Sequence, residues 1–469
     1  MSETPKTKSG WRIVRRIFIG LAILATLIAI FYAEEDWRGK RAWENCKREL
    51  EAKGEILDWD KLIPPLVSED QNFFAASKMQ EWFVRPDWHH GSLTNELTER
   101  LKNEKTGWFG ADSKIKTEAD AKDYLAWSDQ FRSDFNLIRE ALKRPYARMD
   151  GDYSNPFAKP DLDFITVRAM AQTLAQRAHC HLLLNQPEDA LNELTLMHDM
   201  CRLMQSSSSD KPVTLVSTMI NVAVIGLYVN TIAEGLQSHT WQESQLIALQ
   251  KQLKSINLAL AFARSFDFEA ADMCWTLKSL FRKYPNDPSL WQDLKHYRFP
   301  WLKWVPHGWV YQNMVTTLKM DDKQRDGFDF ESGIILPNKI ESSQVEIRNA
   351  LKHSSPYNFF VVMIDADPHF LKGWQTTAHN QTLANEAQIA CGLEHYHLAH
   401  GEYPETLDAL APQFIEKIPH DIIGGEQLHY HPKNDGKFLL YSVGWNETDD
   451  GGASGTLQNV NQGDWVWKN

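Results

Sequence analysis

Apolar positions along this chain recur mostly at helical spacing, but one run of them has no polar face at all. Ile17 to Ala33 reads IFIGLAILATLIAIFYA, seventeen residues without a charge, at the short end of what crosses a hydrocarbon core. Ile13 and Val14 extend the run if Arg15 and Arg16 reach back to the headgroups. Lys6, Lys8, Arg12, Arg15 and Arg16 precede it, and Glu34, Glu35 and Asp36 follow. The positive-inside rule then makes 1–16 a cytoplasmic tip, 17–33 a transmembrane signal-anchor and the rest extracytoplasmic. A cleaved signal peptide needs small residues at its cut site, and Phe31, two before Ala33, is large, so retention is expected.

Residues 34–367 are expected to form an α-helical body of packed helix hairpins. The first helix continues through Trp37, Trp43, Cys46 and Leu50 and stops at Gly54, a residue suited to the position just past a helix end. Pro64-Pro65 forbids a helix, and Ser68 with Gln71 reads as a capping box for the next one. Residues 84–116, rich in Gly, His, Trp and charge, read as a surface excursion. Thr117 caps a helix whose stripe is Leu125, Phe131, Phe135, Ile138 and Leu142, ending at Pro145. Residues 145–161 read as a loop of turn residues.

From Leu162 to about Tyr284 the spacing is almost wholly helical. Asn185-Gln186-Pro187 breaks it between Ala178/Leu182 and Ala190/Leu191/Leu194, which resembles one tetratricopeptide-type hairpin. The aromatic positions of that repeat are missing, and no second copy follows. Val213–Leu236 is long and apolar, but Ser217, Thr218, Asn221, Asn230, Thr231 and Glu234 are spread through it and it lacks basic flanks beyond Lys211. It is expected to be a buried core helix. Thr240 or a neighbour caps the following helix, and Glu269 on the next reads as a paired structural carboxylate.

Residues 368–469 are expected to form a small α+β domain with an antiparallel sheet. A long helix, 369–400, carries Leu383, Ala387, Ala390 and Leu393 on one face. A short helix over Pro404–Leu410 follows. Then LHYHP and KFLLYSV flank Asn434-Asp435-Gly436, a hairpin signal. Trp445–Gly455 is an acidic, glycine-rich loop, and Gly463-Asp464-Trp465-Val466-Trp467 reads as an edge strand.

Composition narrows the class. The 469 residues allow about three domains at roughly 150 each. Lys+Arg 50 against Asp+Glu 62 gives −12, which argues against a nucleic-acid partner. With the basic tip set apart, the remainder is more acidic still. Mean hydropathy of −0.45 leaves room for one anchor but not for many spans. The five cysteines, Cys46, Cys180, Cys201, Cys274 and Cys391, lie far apart in helical, apolar patterns and read as small buried hydrophobes.

The C-terminal series resembles the head of the type II secretion major pseudopilin family. The residues that carry this are Gly401-x-Tyr403-Pro404 after a long helix, Leu407 and Leu410, Ile418-Pro419-x-Asp421, Leu440 to Gly444, Asp449 to Gly452, and Asp464. The resemblance implies a long helix on a small antiparallel sheet and an acidic calcium loop. On matching positions Asn446, Asp449 and Asp450 would hold calcium, with Asn446 in place of that family's first loop aspartate. Carboxylate, amide and carbonyl oxygens suit such a hard cation, and a solvated acidic turn is the plain alternative. Two departures stand out: the anchor shows no short cleaved leader of that family, and the matching helix starts near Pro368, far downstream of Ala33. The whole layout resembles bacterial envelope proteins built from an anchor, a helical body and a pilin-like tail.

No HExxH, GxSxG, Walker or GxGxxG pattern occurs, so no catalytic residue is assigned. Asp365 and Asp367 read as a helix-start cluster. Glu394, His397 and His400 fall at i, i+3 and i+6, partly on one face, and can make a metal patch together with His395 nearby; solvated side chains are the favoured reading. His429 and His431 alternate on a strand, and His89-His90 lies in the excursion. The expected function is a membrane-anchored, non-enzymatic envelope protein that meets other envelope proteins. Two alternatives stand beside it. One is an extracytoplasmic hydrolase with its site in the helical body. The other is a carbohydrate- or lipid-binding module using the Trp-rich 291–309 stretch, with Trp291, Trp301, Trp304 and Trp309.

Overall fold

The computed structural model describes residues 8–85, 95–101, 115–155, 159–204, 213–282, 304–359, 370–433, 436–455 and 461–468. The described chain is mainly helical. Its longer helices are α1 (Lys8–Ala52), α2 (Glu118–Ser128), α3 (Arg132–Leu142), α4 (Phe164–Leu183), α5 (Pro187–Met204), α6 (Leu215–Gln237), α7 (Glu243–Lys254), α8 (Leu258–Arg282), α9 (His307–Arg325), α10 (Pro337–Leu351) and α11 (Phe370–His400). Strands β1 (Val84–Arg85) and β2 (Asp161–Leu162) pair antiparallel, as do β3 (Phe328–Asp329) and β4 (Ile334–Ile335). A three-stranded sheet has the order β5-β6-β7, from β5 (His429–Pro432), β6 (Phe438–Ser442) and β7 (Trp465–Val466). Its two pairings are antiparallel, with His429 opposite Tyr441 and Ser442 opposite Trp465.

The chain divides into two compact units. The first takes Met1–Leu57, Ala270–Met320 and Asn349–Ala366. It contains α1, a helix apolar and long enough to cross a membrane near its N-terminal end, where none of the most apolar window is buried among the described residues. Ile17, Phe18, Leu21, Ile23, Leu24, Leu27 and Ile30 are all exposed. The character changes at Glu35, whose side chain is buried although it directly follows the apolar run. Glu35 Oε2 accepts from Trp309 Nε1 at 2.8 Å and from the Tyr357 hydroxyl at 3.2 Å, while Oε1 pairs with Arg38 at 2.9 Å. Asp36 Oδ1 accepts from Gly308 N at 2.8 Å. Glu35 and Asp36 are therefore partnered inside the protein, whereas Glu34 stays exposed.

Two glycines let α1 and α9 meet. A Cβ on Gly308 would stand 1.8 Å from the Glu35 carbonyl oxygen, and one on Gly39 would stand 2.1 Å from that of Gly308. Further along α1, Lys278 lies over the Trp43 ring at 4.3 Å, a cation–π contact.

The second unit takes Asp58–Glu269, Asp321–Arg348 and Asp367–Asn469. Its main core joins α3, α4, α5, α6, α7 and α11 with the β5–β6 hairpin, through Phe131, Leu174, Met197, Tyr228, Leu249, Leu393 and Leu440 among others. A neighbouring cluster gathers Phe262, Phe266, Trp374, Ile423, Trp445 and Trp465. The α4/α5 hairpin turns at Asn185, in the left-handed region, with Ala178, Leu182, Ala190 and Leu194 buried. Arg177 is buried in that hairpin. It bonds Glu193 at 2.7 Å, the Ser128 hydroxyl at 2.7 Å and Asp129 at 3.1 Å, joining α4 and α5 to the end of α2. Helix α6 passes a length-and-composition test for a membrane span, but 56% of its most apolar window is buried, as expected of a core helix.

Several expectations hold locally. Gly54 adopts φ +93 just past α1. Thr117 caps α2 through a capping box with Asp120. The hairpin and the edge strand form where expected, and all five cysteines are buried. Others fail. Ser68 makes no capping bond, and short 3-10 turns over Glu69–Gln71 and Phe73–Ala75 follow instead of a helix. Phe73, Phe74, Met79, Trp82 and Phe83 all point into the core there, which no single helical stripe can satisfy. The 84–116 excursion is part structure. Val84–Arg85 is a strand, and a short helix, Glu96–Leu101, buries Leu97 and Leu101 completely. His89 and His90 lie outside the described residues, as do Trp291, Trp301, Asp365 and Asp367.

The glycine crossing gives a direct test. Gly308→Ala should cost about 1–3 kcal/mol, the usual penalty of overpacking, read as a lower midpoint in thermal unfolding of the detergent-solubilised chain. Gly20→Ala, where nothing lies within 4 Å of the added Cβ, should leave the midpoint unchanged.

Candidate functional site

The C-terminal part of the second unit gathers most of the chemistry. Its organiser is α11, buried from Ala384 through Glu394 with a single half-buried position, Asn385. A helix packed all round cannot keep its polar residues on a solvent face. Glu386 is accordingly fully buried, and neither carboxylate oxygen has a hydrogen-bond partner among the described residues. Burial pushes its pKa well above the ordinary value, and the nearby charge of Asp421 adds to the shift. Asp421 is buried too, and desolvation raises its pKa. Its oxygens accept from Ile423 N at 2.9 Å and Val443 N at 3.3 Å, pinning the Ile418–Asp421 turn to the end of β6. A shallow groove of about 280 Å³ beside it is lined by Lys254, Asn385, Gln388, Lys417, His420 and Asp421, among others.

The acidic loop lies just beyond β6. Asn446, Asp449 and Asp450 are exposed and close together. Asn446 Nδ2 donates to Asp450 Oδ2 at 3.0 Å. Asp449 Oδ1 accepts from Gly451 N at 2.9 Å and from the Tyr441 hydroxyl at 3.1 Å. The Gly451 hydrogen bond is the main cause of its lowered pKa. The loop is shaped from below by Asp464, which is buried and accepts from Asp450 N at 3.2 Å and Gly452 N at 2.6 Å. His429 Nδ1 lies 3.7 Å from Asp449, and its ring stacks on Tyr441 at 4.8 Å. The side-chain oxygens of Asn446, Asp449 and Asp450 thus share one loop, with Asp464 as its support.

The histidines of α11 separate. His400 is exposed, with Nδ1 bonded to the Tyr396 carbonyl at 3.0 Å. His395 turns to Glu243 at 3.4 Å. Glu394 is only 3% exposed, which corrects the solvated reading of this residue: the helix end is covered by the turn after α6 and by Tyr403. Glu394 Oε1 lies 2.8 Å from His239 Nδ1, and Oε2 accepts from the Tyr403 hydroxyl at 3.0 Å. His397, one turn on, stacks on the Tyr403 ring at 4.7 Å. Sequence spacing therefore pairs Glu394 and His397 rightly but joins them to His400, whereas the fold joins them to His239.

Two other candidates have plain partners. Glu269 is half-buried, and its Oε1 accepts from Leu215 N at 2.8 Å, satisfying a free donor at the start of α6. Trp309 bonds Glu35 as described, while Trp304 is 69% exposed. Comparison with protein-family models, with curated proteins and with solved structures finds no match.

The buried acid on α11 predicts a sign. The folded chain keeps its proton on Glu386 to higher pH than the unfolded chain, which releases it at about pH 4.3. The contribution of this group to stability is therefore greatest below that pH and falls as pH rises from there toward the raised folded value. Glu386→Met should stabilise the protein at neutral pH, and the gain should shrink, without disappearing, below about pH 4, where only the cost of the buried unpartnered carboxyl remains. Thermal melts of both chains across pH 3–8 check it.

Proposed function

We propose that this chain is a single-pass protein of a bacterial envelope. Residues 17–33 anchor it in the cytoplasmic membrane, 1–16 form a cytoplasmic tip, and the chain from Glu34 onward is extracytoplasmic. There it acts as an interaction or assembly component with a pseudopilin-like tail, and its partners are other envelope proteins rather than nucleic acid.

The observation that carries this reading is α1, whose apolar side chains from Ile17 to Ile30 are exposed among the described residues while five basic residues gather ahead of them. Large apolar side chains strung along a helix at this length have one ready solvent, the hydrocarbon core. Orientation follows from basic residues rather than from acids, so the internal partners of Glu35 and Asp36 leave it unchanged. The tail reading rests on the long helix α11 running into Gly401-x-Tyr403-Pro404, on the small antiparallel sheet, and on the acidic loop supported by Asp464.

Calcium at that loop belongs to the same reading. Asn446, Asp449 and Asp450 offer the oxygen donors such an ion takes, with loop carbonyls to complete its shell. The turn already faces the Asp449 carboxylate with the positive end of a backbone dipole at Gly451, so a bound cation must compete with that hydrogen bond.

The full chain should pellet with membranes and resist alkaline carbonate extraction, and a chain lacking residues 1–33 should be recovered in the soluble fraction. In-membrane crosslinking should give a discrete adduct with another envelope protein. A full chain found in the soluble fraction, or only self-adducts, would contradict the proposal. Calcium should raise the melting midpoint relative to chelator by a few degrees, and the paired change Asp449→Ala, Asp450→Ala should abolish the rise. Equal midpoints in calcium and chelator would remove the site.

A further inference from the structure

We propose that His239, Glu394 and His397 form a zinc-binding site, independent of the membrane reading and separate from the acidic loop. One ligand atom from each lies within 4.8 Å of the other two. Tetrahedral zinc with bonds of about 2.0–2.1 Å spaces its ligands about 3.3 Å apart. His239 and Glu394 are already closer than that, at 2.8 Å. Small side-chain rotations at His239, which is exposed, and at His397 close the remainder.

The donor set selects the metal class. Two imidazoles and one carboxylate suit zinc and similar transition metals, whereas calcium and magnesium take all-oxygen shells. Three protein ligands leave a fourth position for water.

The surroundings fit a held ligand set rather than a chance meeting. Glu394 is buried, and the Tyr403 hydroxyl fixes its second oxygen, as an outer-shell donor does for a ligating carboxylate. The Tyr403 ring also stacks on His397, which sets the plane of that imidazole. His239 sits in the left-handed backbone region at φ +49, in the turn closing α6. This is the usual closing geometry of a helix end, with Thr240 N bonded to the Gly235 carbonyl at 2.9 Å, and it fixes where the His239 side chain starts.

A plain histidine–glutamate pair would account for His239 and Glu394 but not for His397. Nδ1 of His397 is buried and has no hydrogen-bond partner among the described residues. A buried, unpartnered imidazole nitrogen is costly. Metal binding, which fixes which ring nitrogen carries the proton, gives that ring a role. The site would tie the α6–α7 turn to the end of α11 and the Tyr403 turn, clamping two segments 155 residues apart in sequence.

The test uses the full chain in detergent, stripped of metal and titrated with Zn²⁺ against a chromophoric chelator, and with Co²⁺ read by visible absorption. Wild-type protein should bind one zinc tightly and give the intense bands of four-coordinate cobalt. Glu394→Gln keeps the Tyr403 hydrogen bond, and His397→Phe keeps the ring stack. Each should weaken zinc at least tenfold and abolish the cobalt bands while circular dichroism is retained. Tyr403→Phe should weaken zinc more modestly. His400→Ala, and the paired Asp449→Ala, Asp450→Ala change, should bind as wild type. Zinc affinity and cobalt spectra unchanged in both Glu394→Gln and His397→Phe would overturn the proposal. So would wild-type protein that binds no zinc.

Discussion

Water does not tolerate the surface of α1 between Ile17 and Ala33. About ten of its side chains are large and apolar, and each left in water rather than buried costs about 1.5–3 kcal/mol. The sum, on the order of 15–30 kcal/mol, exceeds the net stability of an ordinary domain. Among the described residues only its last turn has partners, the Phe31 ring against Trp309 and the Tyr32 hydroxyl donating to the Trp304 carbonyl; the rest is exposed. A lipid bilayer would cover it, and this constraint underlies the placement proposed for every later segment. The helix does not end with its apolar stretch. It continues into Glu35, Asp36 and Gly39, where the carboxylates find Trp309, Tyr357 and Gly308. The first unit is thus built around the continuation of the helix that carries the apolar run.

The second unit answers a different constraint. A helix as buried as α11 has no solvent face on which to leave charge, so each polar residue on it must be satisfied, neutralised or used. Gln381 reaches the Leu258 N–H at 2.6 Å and is satisfied. Burial pushes Glu386 toward its neutral form. Glu394 is held by Tyr403 beside two histidines, and there the polar residues are proposed to serve a metal. One helix thus shows three outcomes of burying a polar group.

Much of this was legible in the chain because it is local. The apolar run, the Thr117 cap, the break at Pro187 and the strands around Gly436 depend on neighbours within a few residues. What was hidden depends on distance. Leu97 and Leu101 are two apolar residues in a polar stretch, too few to show a period, yet both are fully buried. Ser68 stands where a cap would be expected, but the aromatic cluster from Phe73 to Phe83 takes the backbone into short turns. Glu386 gives no signal in the sequence because the apolar spacing of α11 marks one face, while the fold buries Ala384 to Glu394 almost completely. His239 gave no signal, because its partners lie at the far end of the second unit's sequence. The acidic loop was found by its residues, but its buried support, Asp464, only by a resemblance.

The central claim is that α1 spans the membrane with its basic end inside. The protein is suited to a thiol test because all five native cysteines are buried. Thr7→Cys places a thiol in the proposed cytoplasmic tip, and Leu66→Cys places one at a site that is 85% exposed and proposed to lie outside. In intact spheroplasts, a membrane-impermeant maleimide should label the Leu66→Cys chain and spare the Thr7→Cys chain until the membrane is opened. Labelling of Thr7→Cys alone, or of both before opening, would contradict the account.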